Sequence, residues 1–188
     1  MSTEGLHKRP SHKAEDEEED TTTKVSSTRS SFTRAKDVVP LAIAVLIPLI
    51  LGIIDAILNN PNQDFYRNLK KPSWNPPGWL FGLAWSIIYP LMGFASWLLW
   101  KQGGFEKQKF TLGLYMLQLI INLLWPYFFF GLHSIKLALV DIVALDLLLV
   151  ICIISFKSVN QLASTLFKPY LAWVSFATVL NYSILAMN

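Results

Sequence analysis

The sequence has a single cysteine, Cys152, among its 188 residues, so no intrachain disulfide framework holds this protein together. Cys152 falls inside an apolar run, and we interpret it as a small buried hydrophobe rather than a reactive thiol. The three histidines are scattered, and no cluster of His, Cys, Asp and Glu has the spacing of metal ligands, so no metal site is predicted. Glycine-rich phosphate loops and nucleophile motifs are also missing, which argues against ordinary hydrolytic chemistry.

Charged residues are scarce outside the first 37 positions. Of the chain's 16 Lys and Arg and 13 Asp and Glu, residues 1–37 hold 7 and 8, which leaves 9 and 5 for the other 151 residues. The net charge of +3 is small and forms no basic stripe, so nucleic-acid binding is not predicted. Because residues 1–37 have almost no apolar side chains to bury, we predict that they form a disordered, charged tail and that residues 38–188 form the folded domain.

Long apolar runs dominate the rest of the chain, and the overall hydrophobic content is 53%. Each run has about 20 residues, enough for a helix to cross a hydrocarbon core of about 30 Å. Backbone groups inside lipid must satisfy their own hydrogen bonds, so each run is predicted to be a helix. We therefore expect an all-α membrane protein, a bundle of five transmembrane helices at residues 38–58, 79–100, 110–130, 135–156 and 166–187.

Basic residues are distributed unevenly between the two sides that such a bundle would have. Nine Lys and Arg lie near the membrane on the side of the N-terminal tail, and four lie on the other side. Membrane proteins carry an excess of positive residues on their cytosolic side, so the N-terminus is predicted to be cytosolic.

Polar amides and aromatic rings share one face of the third predicted helix. Gln118, Asn122 and Trp125 are spaced at i, i+4 and i+7, so they lie on one helical stripe. An amide in hydrocarbon is costly unless it finds a partner, so this stripe is expected to face protein or a cavity. Hydrogen bonding between helices and the lining of a ligand site are both consistent with it. In the fifth helix, Trp173 and Ala177 lie one turn apart and form a slot beside a large ring.

The second predicted helix has two distinct faces. Trp85 and Tyr89 share one of them, whereas Gly78, Gly82 and Ser86 form a stripe of small residues on another. Small residues allow two helices to approach closely. We favour packing of this stripe inside the bundle over the alternative, which is a homodimer interface.

Two carboxylates fall within the fourth predicted helix. Asp141 lies near its start and is expected to be solvated at the membrane interface. Asp146 lies deeper and should find a partner in the bundle, because an unpaired carboxylate inside a membrane is costly.

Tryptophan and proline motifs recur at specific spacings through residues 38–188. Residues 71–82 read KPSWNPPGWLFG, residues 169–173 read PYLAW and residues 176–182 read FATVLNY. Between them lie WLLW at residues 97–100, GGF at 103–105, WP at 125–126 and FFFG at 128–131. With these motifs the chain resembles the translocator protein family, also called the tryptophan-rich sensory protein or peripheral benzodiazepine receptor (TspO/MBR) family. The charged N-terminal extension resembles that of plant members.

The resemblance implies a five-helix bundle whose ligand pocket opens toward the loop of residues 59–78, a connection long enough to act as a lid. Ligands of the family are porphyrins and haem, sterols, and synthetic isoquinoline and benzodiazepine compounds, and no cofactor is required. By the same resemblance, the pocket residues are Tyr66, Trp74, Pro76, Pro77, Trp85, Gln118, Asn122, Trp125, Trp173 and Ala177.

The function that the resemblance implies is a membrane receptor or scavenger for tetrapyrroles. One alternative is an enzyme that degrades porphyrin in the presence of light and oxygen, with Trp85 and Trp173 as the candidate catalytic residues. Another is a sterol or lipid carrier, although the C-terminal sterol motif of animal members is incomplete because no basic residue follows Tyr182. Similarity to plant members, and a tail that lacks the character of a transit peptide, favour the endoplasmic reticulum and Golgi over the mitochondrial outer membrane.

Overall fold

The computed structural model describes residues 37–59 and 63–188, with only the backbone of Gln63 described. These residues form the helices α1 (Asp37–Leu58), α2 (Gln63–Asn68), α3 (Gly78–Trp100), α4 (Gly104–Lys107), α5 (Lys109–Pro126), α6 (Ile135–Val159) and α7 (Gln161–Met187), and a π-helical segment (Tyr127–Gly131) continues α5. The prediction of a disordered tail concerns residues that lie outside the described part of the chain, except for Asp37 at the first turn of α1.

Five of the helices have the length and composition to cross a membrane, which confirms the predicted all-α fold. They run from 22 residues in α1 to 27 in α7, and α5 reaches this class together with its π-helical continuation. Large apolar side chains cover their outer surfaces, such as Ile57, Val140 and Ile154, each more than 60% exposed. In water such a surface would drive aggregation, whereas in lipid it is the expected contact with hydrocarbon.

The helices form a ring in which α6 packs against α5 and α7, and α3 packs against α7 and α5. Close approach of α1 to α3 depends on glycine. A Cβ atom at Gly93 would collide with the backbone oxygen of Ala44 and would lie 2.5 Å from the Cα of Val45. A Cβ atom at Gly52 would overlap the ring of Tyr89. Small residues at these two positions therefore let the two helices touch backbone to backbone and backbone to ring.

The predicted packing of Gly78, Gly82 and Ser86 inside the bundle is wrong. Nothing among the described residues lies within 4 Å of a Cβ atom built at Gly78 or Gly82, and Ser86 is exposed. The stripe lies at the start of α3, where nothing among the described residues packs against this side of the helix. Further along about the same side, Tyr89 and Gly93 are buried against α1. A homodimer interface at this stripe stays a prediction.

The two carboxylates of α6, Asp141 and Asp146, differ in their burial and in their hydrogen-bond partners. Asp141 is buried, with 8% of its surface exposed, and its Oδ2 atom has no hydrogen-bond partner among the described residues, so the expectation of interfacial solvation is wrong. Its position places it on the same side of α6 as Leu145 and Ala138, which face the core. Asp146 accepts hydrogen bonds from Ser175 and Thr178 of α7, which confirms that it has bundle partners.

Candidate ligand site

An aromatic and amide cluster lies where α3, α5 and α7 meet. The ring of Trp85 stacks on Tyr89 at 5.2 Å between centroids and meets Tyr170 edge-on at 6.0 Å. The hydroxyl of Tyr89 donates a hydrogen bond of 3.2 Å to Oδ1 of Asn122. Edge-to-face and offset stacks are the favourable arrangements of such rings, so the cluster fixes the orientation of Trp85 within the bundle. We name these residues, together with Gln118, the inner cluster.

Polar atoms of the inner cluster are left without partners. The side chain of Gln118 is completely buried, and neither its amide nitrogen nor its amide oxygen has a hydrogen-bond partner among the described residues. The buried hydroxyl of Tyr170 also lacks one, although Asn122 lies near enough to interact with it electrostatically. Buried polar groups are nearly always satisfied, so a donor and an acceptor without protein partners indicate that a bound water or a ligand completes their hydrogen bonding.

A second row of rings continues along α3 and α7 toward the loop of residues 59–78. Trp173 meets Phe81 edge-on at 5.6 Å and lies 5.6 Å from Phe176, and Phe176 in turn meets Trp74 at 5.9 Å. Because α3 and α7 are antiparallel, the Phe81–Trp173 pair lies about one turn from the Trp85–Tyr170 pair. The two candidate catalytic tryptophans therefore lie on one aromatic ladder, and each contacts a neighbouring ring rather than the other tryptophan.

Trp125 has a structural partner for its polar atom. Its indole nitrogen donates a hydrogen bond of 3.1 Å to Oδ1 of Asn181, whose own amide nitrogen donates to the backbone oxygen of Ile135. Its ring stacks on Phe129 at 4.9 Å. Trp125 therefore ties three helical segments together, as the hydrogen-bonding interpretation of the stripe predicts. The lining of a ligand site by this stripe stays a prediction.

The loop residues predicted for the pocket lie over the end of the bundle. The hydroxyl of Tyr66 donates a hydrogen bond of 3.0 Å to Oδ1 of Asn75, and the amide nitrogen of Asn75 donates to the backbone oxygen of Pro76. Burial raises the pKa of the Tyr66 hydroxyl above its usual range, and the hydrogen bond with Asn75 partly opposes that shift. The hydroxyl therefore stays protonated at neutral pH and keeps its role as donor. Pro76 is buried, whereas Pro77 and Trp74 are exposed.

Two contacts fasten this loop to the ends of the helices. Phe65 of α2 stacks on His133, in the turn between the π-helical segment and α6, at 4.3 Å between ring centroids. The backbone nitrogen of Lys70 donates 2.9 Å to the side-chain oxygen of Asn188, and the Asn188 amide nitrogen donates 3.0 Å to the backbone oxygen of Lys70. The described residues 63–78 of this connection thus form a cover held at its edges by a ring stack and an amide clamp.

The structure distributes the ten predicted pocket residues over three places. Trp85 and Asn122 are joined through Tyr89 in the inner cluster, with Gln118 one turn of α5 from Asn122, and Trp173 and the half-buried Ala177 lie on α7. Four residues lie in the cover: Tyr66, Trp74, Pro76 and Pro77. Trp125 lies near the end of α5.

Several residues of the site were absent from the predicted set. Phe81 and Tyr89 are missing although their spacing of four from Trp85 is a visible stripe on α3, and Tyr170 and Phe176 flank Trp173 in the same way on α7. Asn75 had no signal in the sequence, because its bond with Tyr66 depends on the path of an irregular loop.

The inner cluster and the ladder offer flat aromatic faces and unpaired amide and hydroxyl groups. Together with the five apolar helices, this architecture defines a multi-pass α-helical membrane protein with a polar, aromatic interior. The model of the TspO/MBR family matches residues 44–187, and the chain therefore belongs to the TspO/MBR family of integral membrane proteins. The resemblance found in the sequence is thereby confirmed.

Relatives from distant organisms cover most of this domain. The chain is 43% identical to the translocator protein of Homo sapiens over 122 residues, which are 64% of this chain and 72% of that protein. It is 39% identical to the tryptophan-rich protein TspO of Chlorobaculum tepidum over 156 residues, 81% of this chain and 98% of that protein. The tryptophan-rich sensory protein of Cereibacter sphaeroides is 36% identical over 126 residues, 67% of this chain and 78% of its own length.

Proposed function

We propose that the protein is a membrane receptor or scavenger that binds porphyrin or haem in the inner cluster. The observation that carries the proposal is the buried, unpartnered amide of Gln118, one turn of α5 from Asn122, whose side chain accepts a hydrogen bond from Tyr89. Tyr89 in turn stacks on Trp85. A flat macrocycle needs aromatic faces to stack on, and its polar edge needs a donor and an acceptor. The cluster supplies the aromatic faces from α3 and the amide groups from one turn of α5. The proposal requires no cofactor for binding.

The proposal is tested by titrating protoporphyrin IX and haem into the full chain in lipid nanodiscs, in the dark. Bound porphyrin should shift the Soret band, and the substitution Trp85→Leu should weaken binding by about tenfold because a stacking face is lost. An unchanged Soret spectrum at micromolar concentrations, beyond what empty nanodiscs give, would rule the proposal out.

Trp97→Leu is the matched control. Trp97 also lies on α3 and is also half-buried, but it stacks on Phe94 about three turns away from Trp85. Its replacement removes the same volume from the same helix outside the inner cluster, so we expect no change in porphyrin affinity. Equal losses in both variants would mean that the binding is not at the inner cluster.

A second candidate, porphyrin breakdown driven by light and oxygen, is favoured by the ladder that holds Trp85 and Trp173. An indole beside a photoexcited macrocycle is a plausible electron donor, and each of these tryptophans is held by an edge-on ring. This activity would appear as light-dependent loss of protoporphyrin that stops in Trp85→Phe or Trp173→Phe. Equal bleaching in wild type, variants and empty nanodiscs would exclude it. Sterol or lipid carriage would be supported instead if porphyrin failed to bind and a labelled sterol did bind.

We further propose that the N-terminus is cytosolic and that the protein resides in the endoplasmic reticulum and Golgi. Five basic residues support this orientation, since they lie on the connections at the N-terminal end of the bundle or in the helix turns next to them: Lys101, Lys107, Lys109, Lys157 and Lys168. An N-terminal tag should then be reached by antibody after permeabilisation of the plasma membrane alone. A tag that becomes accessible only when internal membranes are also opened would reverse the orientation.

A further inference from the structure

Asp146 places a carboxylate near the middle of the membrane. It is the twelfth of the 25 residues of α6, so at 1.5 Å per residue it lies about 16 Å from the start of the helix. That distance is close to half the thickness of a hydrocarbon core of about 30 Å. Neither water nor lipid headgroups reach this depth, so its partners must come from protein.

The partners within the chain are two hydroxyls of α7. Ser175 donates 3.0 Å to one carboxylate oxygen, and Thr178 lies 2.7 Å from the other. The Thr178 hydroxyl is also 3.0 Å from the backbone oxygen of Val174, and its single proton has to serve both acceptors. Among the described residues, Asp146 makes no ion pair with a basic side chain. Helix α7 therefore offsets the cost of burying this carboxylate in the membrane with two neutral hydroxyls and no positive charge.

The carboxylate faces outward rather than into the core. Asp146 and Thr178 are half-buried, Ser175 is exposed, and the core side of α6 is formed by other residues, such as Leu145 and Leu149. The outer surface between α6 and α7 therefore contains a polar spot at a depth where apolar side chains are otherwise the rule. An intramembrane acidic residue on such a surface is costly and marks a functional site.

Two rows of residues border this spot on the outer surface between α6 and α7, and we name that surface the groove. On α6, Leu139, Val143, Asp146 and Val150 follow one another at spacings of four, three and four residues. On α7, Leu171, Ser175, Thr178 and Tyr182 repeat the same spacings. This pattern is the seam that packs against a neighbouring helix in membrane bundles. Val143 and Val150 are 41% and 43% exposed and Tyr182 is 62% exposed, so these members of the seam are open to a neighbour, whereas Leu139 and Leu171 are partly buried against the core.

Charge decides what kind of helix would fit the groove. A second copy of this chain has no cation to offer at this depth, because in the described membrane-spanning helices the basic residues lie near the ends: Lys109, Lys136, Lys157 and Lys168. Two copies related by symmetry would place Asp146 against a carboxylate or against apolar residues. A helix with a Lys or Arg at its centre would instead neutralise Asp146, while the small side chain of Ser175 leaves room for its approach.

We propose that the groove between α6 and α7 docks a transmembrane helix of another membrane protein, and that a Lys or Arg at the middle of that helix pairs with Asp146. The groove lies on the outer surface, apart from the inner cluster, so this interaction does not depend on porphyrin binding. It would place a partner protein beside the receptor within the same membrane.

The test uses the full chain in lipid vesicles and a labelled transmembrane peptide of about 20 Leu and Ala residues with one central Arg. Association is followed by energy transfer from a donor dye on the protein to an acceptor on the peptide. We expect the Arg peptide to associate at least tenfold more tightly than the same peptide with Leu at its centre. Asp146→Asn should abolish the difference, because it keeps the shape and hydrogen bonding of the side chain but removes its charge.

Asp55→Asn is the control, since it removes a carboxylate from α1 without touching the groove. Equal association of the Arg and Leu peptides, or an Arg preference that survives Asp146→Asn, would overturn the proposal. So would a result in which only self-association of the full chain responds to Asp146→Asn, which would assign the groove to a second copy. Helical circular dichroism and the midpoint of thermal unfolding, measured on the same variants, confirm that they are folded.

Discussion

Gln118 combines complete burial with two polar atoms that have no protein partner among the described residues, and this combination carries a cost in stability. A buried donor or acceptor left unsatisfied costs about 1–3 kcal/mol, whereas an apolar replacement of similar shape does not. Natural proteins keep such a residue where function requires it, since most substitutions that remove the cost would also remove the function.

Gln118→Met should therefore raise the thermal stability of the ligand-free protein. Methionine is nearly isosteric with glutamine and needs no hydrogen bond, so the midpoint of thermal unfolding in detergent should increase by a few degrees. Leu117→Met, on the exposed side of the same helix, is the control and should leave the midpoint unchanged. A lower midpoint for Gln118→Met would show that the amide has partners and stabilises the bundle.

The helices are the level of structure at which prediction from sequence worked best, and their ends show its limits. All five membrane helices follow from the apolar runs, because an uninterrupted run of about 20 apolar residues is typical of a helix that crosses a membrane. The start of α7 at Gln161, five residues before the predicted one, was missed because its first turns contain Ser164 and Thr165. The Asn160 side chain accepts a hydrogen bond from Ala163 and caps this helix, a local signal that an apolar-run criterion ignores.

Contacts between helices were much less predictable than the helices themselves. The stripe of Gln118 and Asn122 showed that one face of α5 is special, but not which helix it meets. The packing of α3 against both α5 and α7 decides that Tyr89 bonds Asn122 and that Tyr170 lies against Trp85. Gly82 and Gly93 lie on about the same side of α3, three turns apart, but only Gly93 lies where α1 approaches closely, a distinction that two glycines on one helix do not reveal in sequence.

Replacement of these two glycines by alanine should have opposite effects. Gly93→Ala places a methyl group against the backbone of Ala44 and Val45, which cannot rotate away, so we expect a loss of about 1–3 kcal/mol in stability. Gly82→Ala adds a methyl group in open space and favours the helix, so stability should be unchanged or rise by up to about 1 kcal/mol. Unfolding in a denaturing detergent measures both. Equal stability of the two variants would contradict the close approach of α1 and α3.

For the molecule as a whole, the loop over the end of the bundle links the fold to ligand exchange. Its attachment is uneven: aromatic contacts of Phe65 and Tyr66 cover the bundle from one side, and the amide of Asn188 clamps Lys70 on the other. Hydrogen bonds at an exposed edge are individually weak, so the clamp is the part of the cover best placed to open.

Asn188→Ala should therefore speed the release of porphyrin. The variant loses both hydrogen bonds to Lys70, each worth about 0.5–1.5 kcal/mol, so the dissociation rate should rise by about tenfold with the bundle intact. Stopped-flow transfer of bound porphyrin to an acceptor protein measures this rate, and Met187→Ala is the neighbouring control. A rate equal to that of wild type would mean that porphyrin leaves by another path.

Tetrapyrrole binding at the amide and aromatic cluster inside the bundle is the central proposal for the whole molecule. The most direct measurement is a dark titration of protoporphyrin IX into nanodiscs that contain wild type, Gln118→Met or Leu117→Met. We expect saturable binding to wild type and Leu117→Met, and binding at least tenfold weaker to Gln118→Met. Equal affinity of all three proteins, or none above empty nanodiscs, would contradict binding at this cluster.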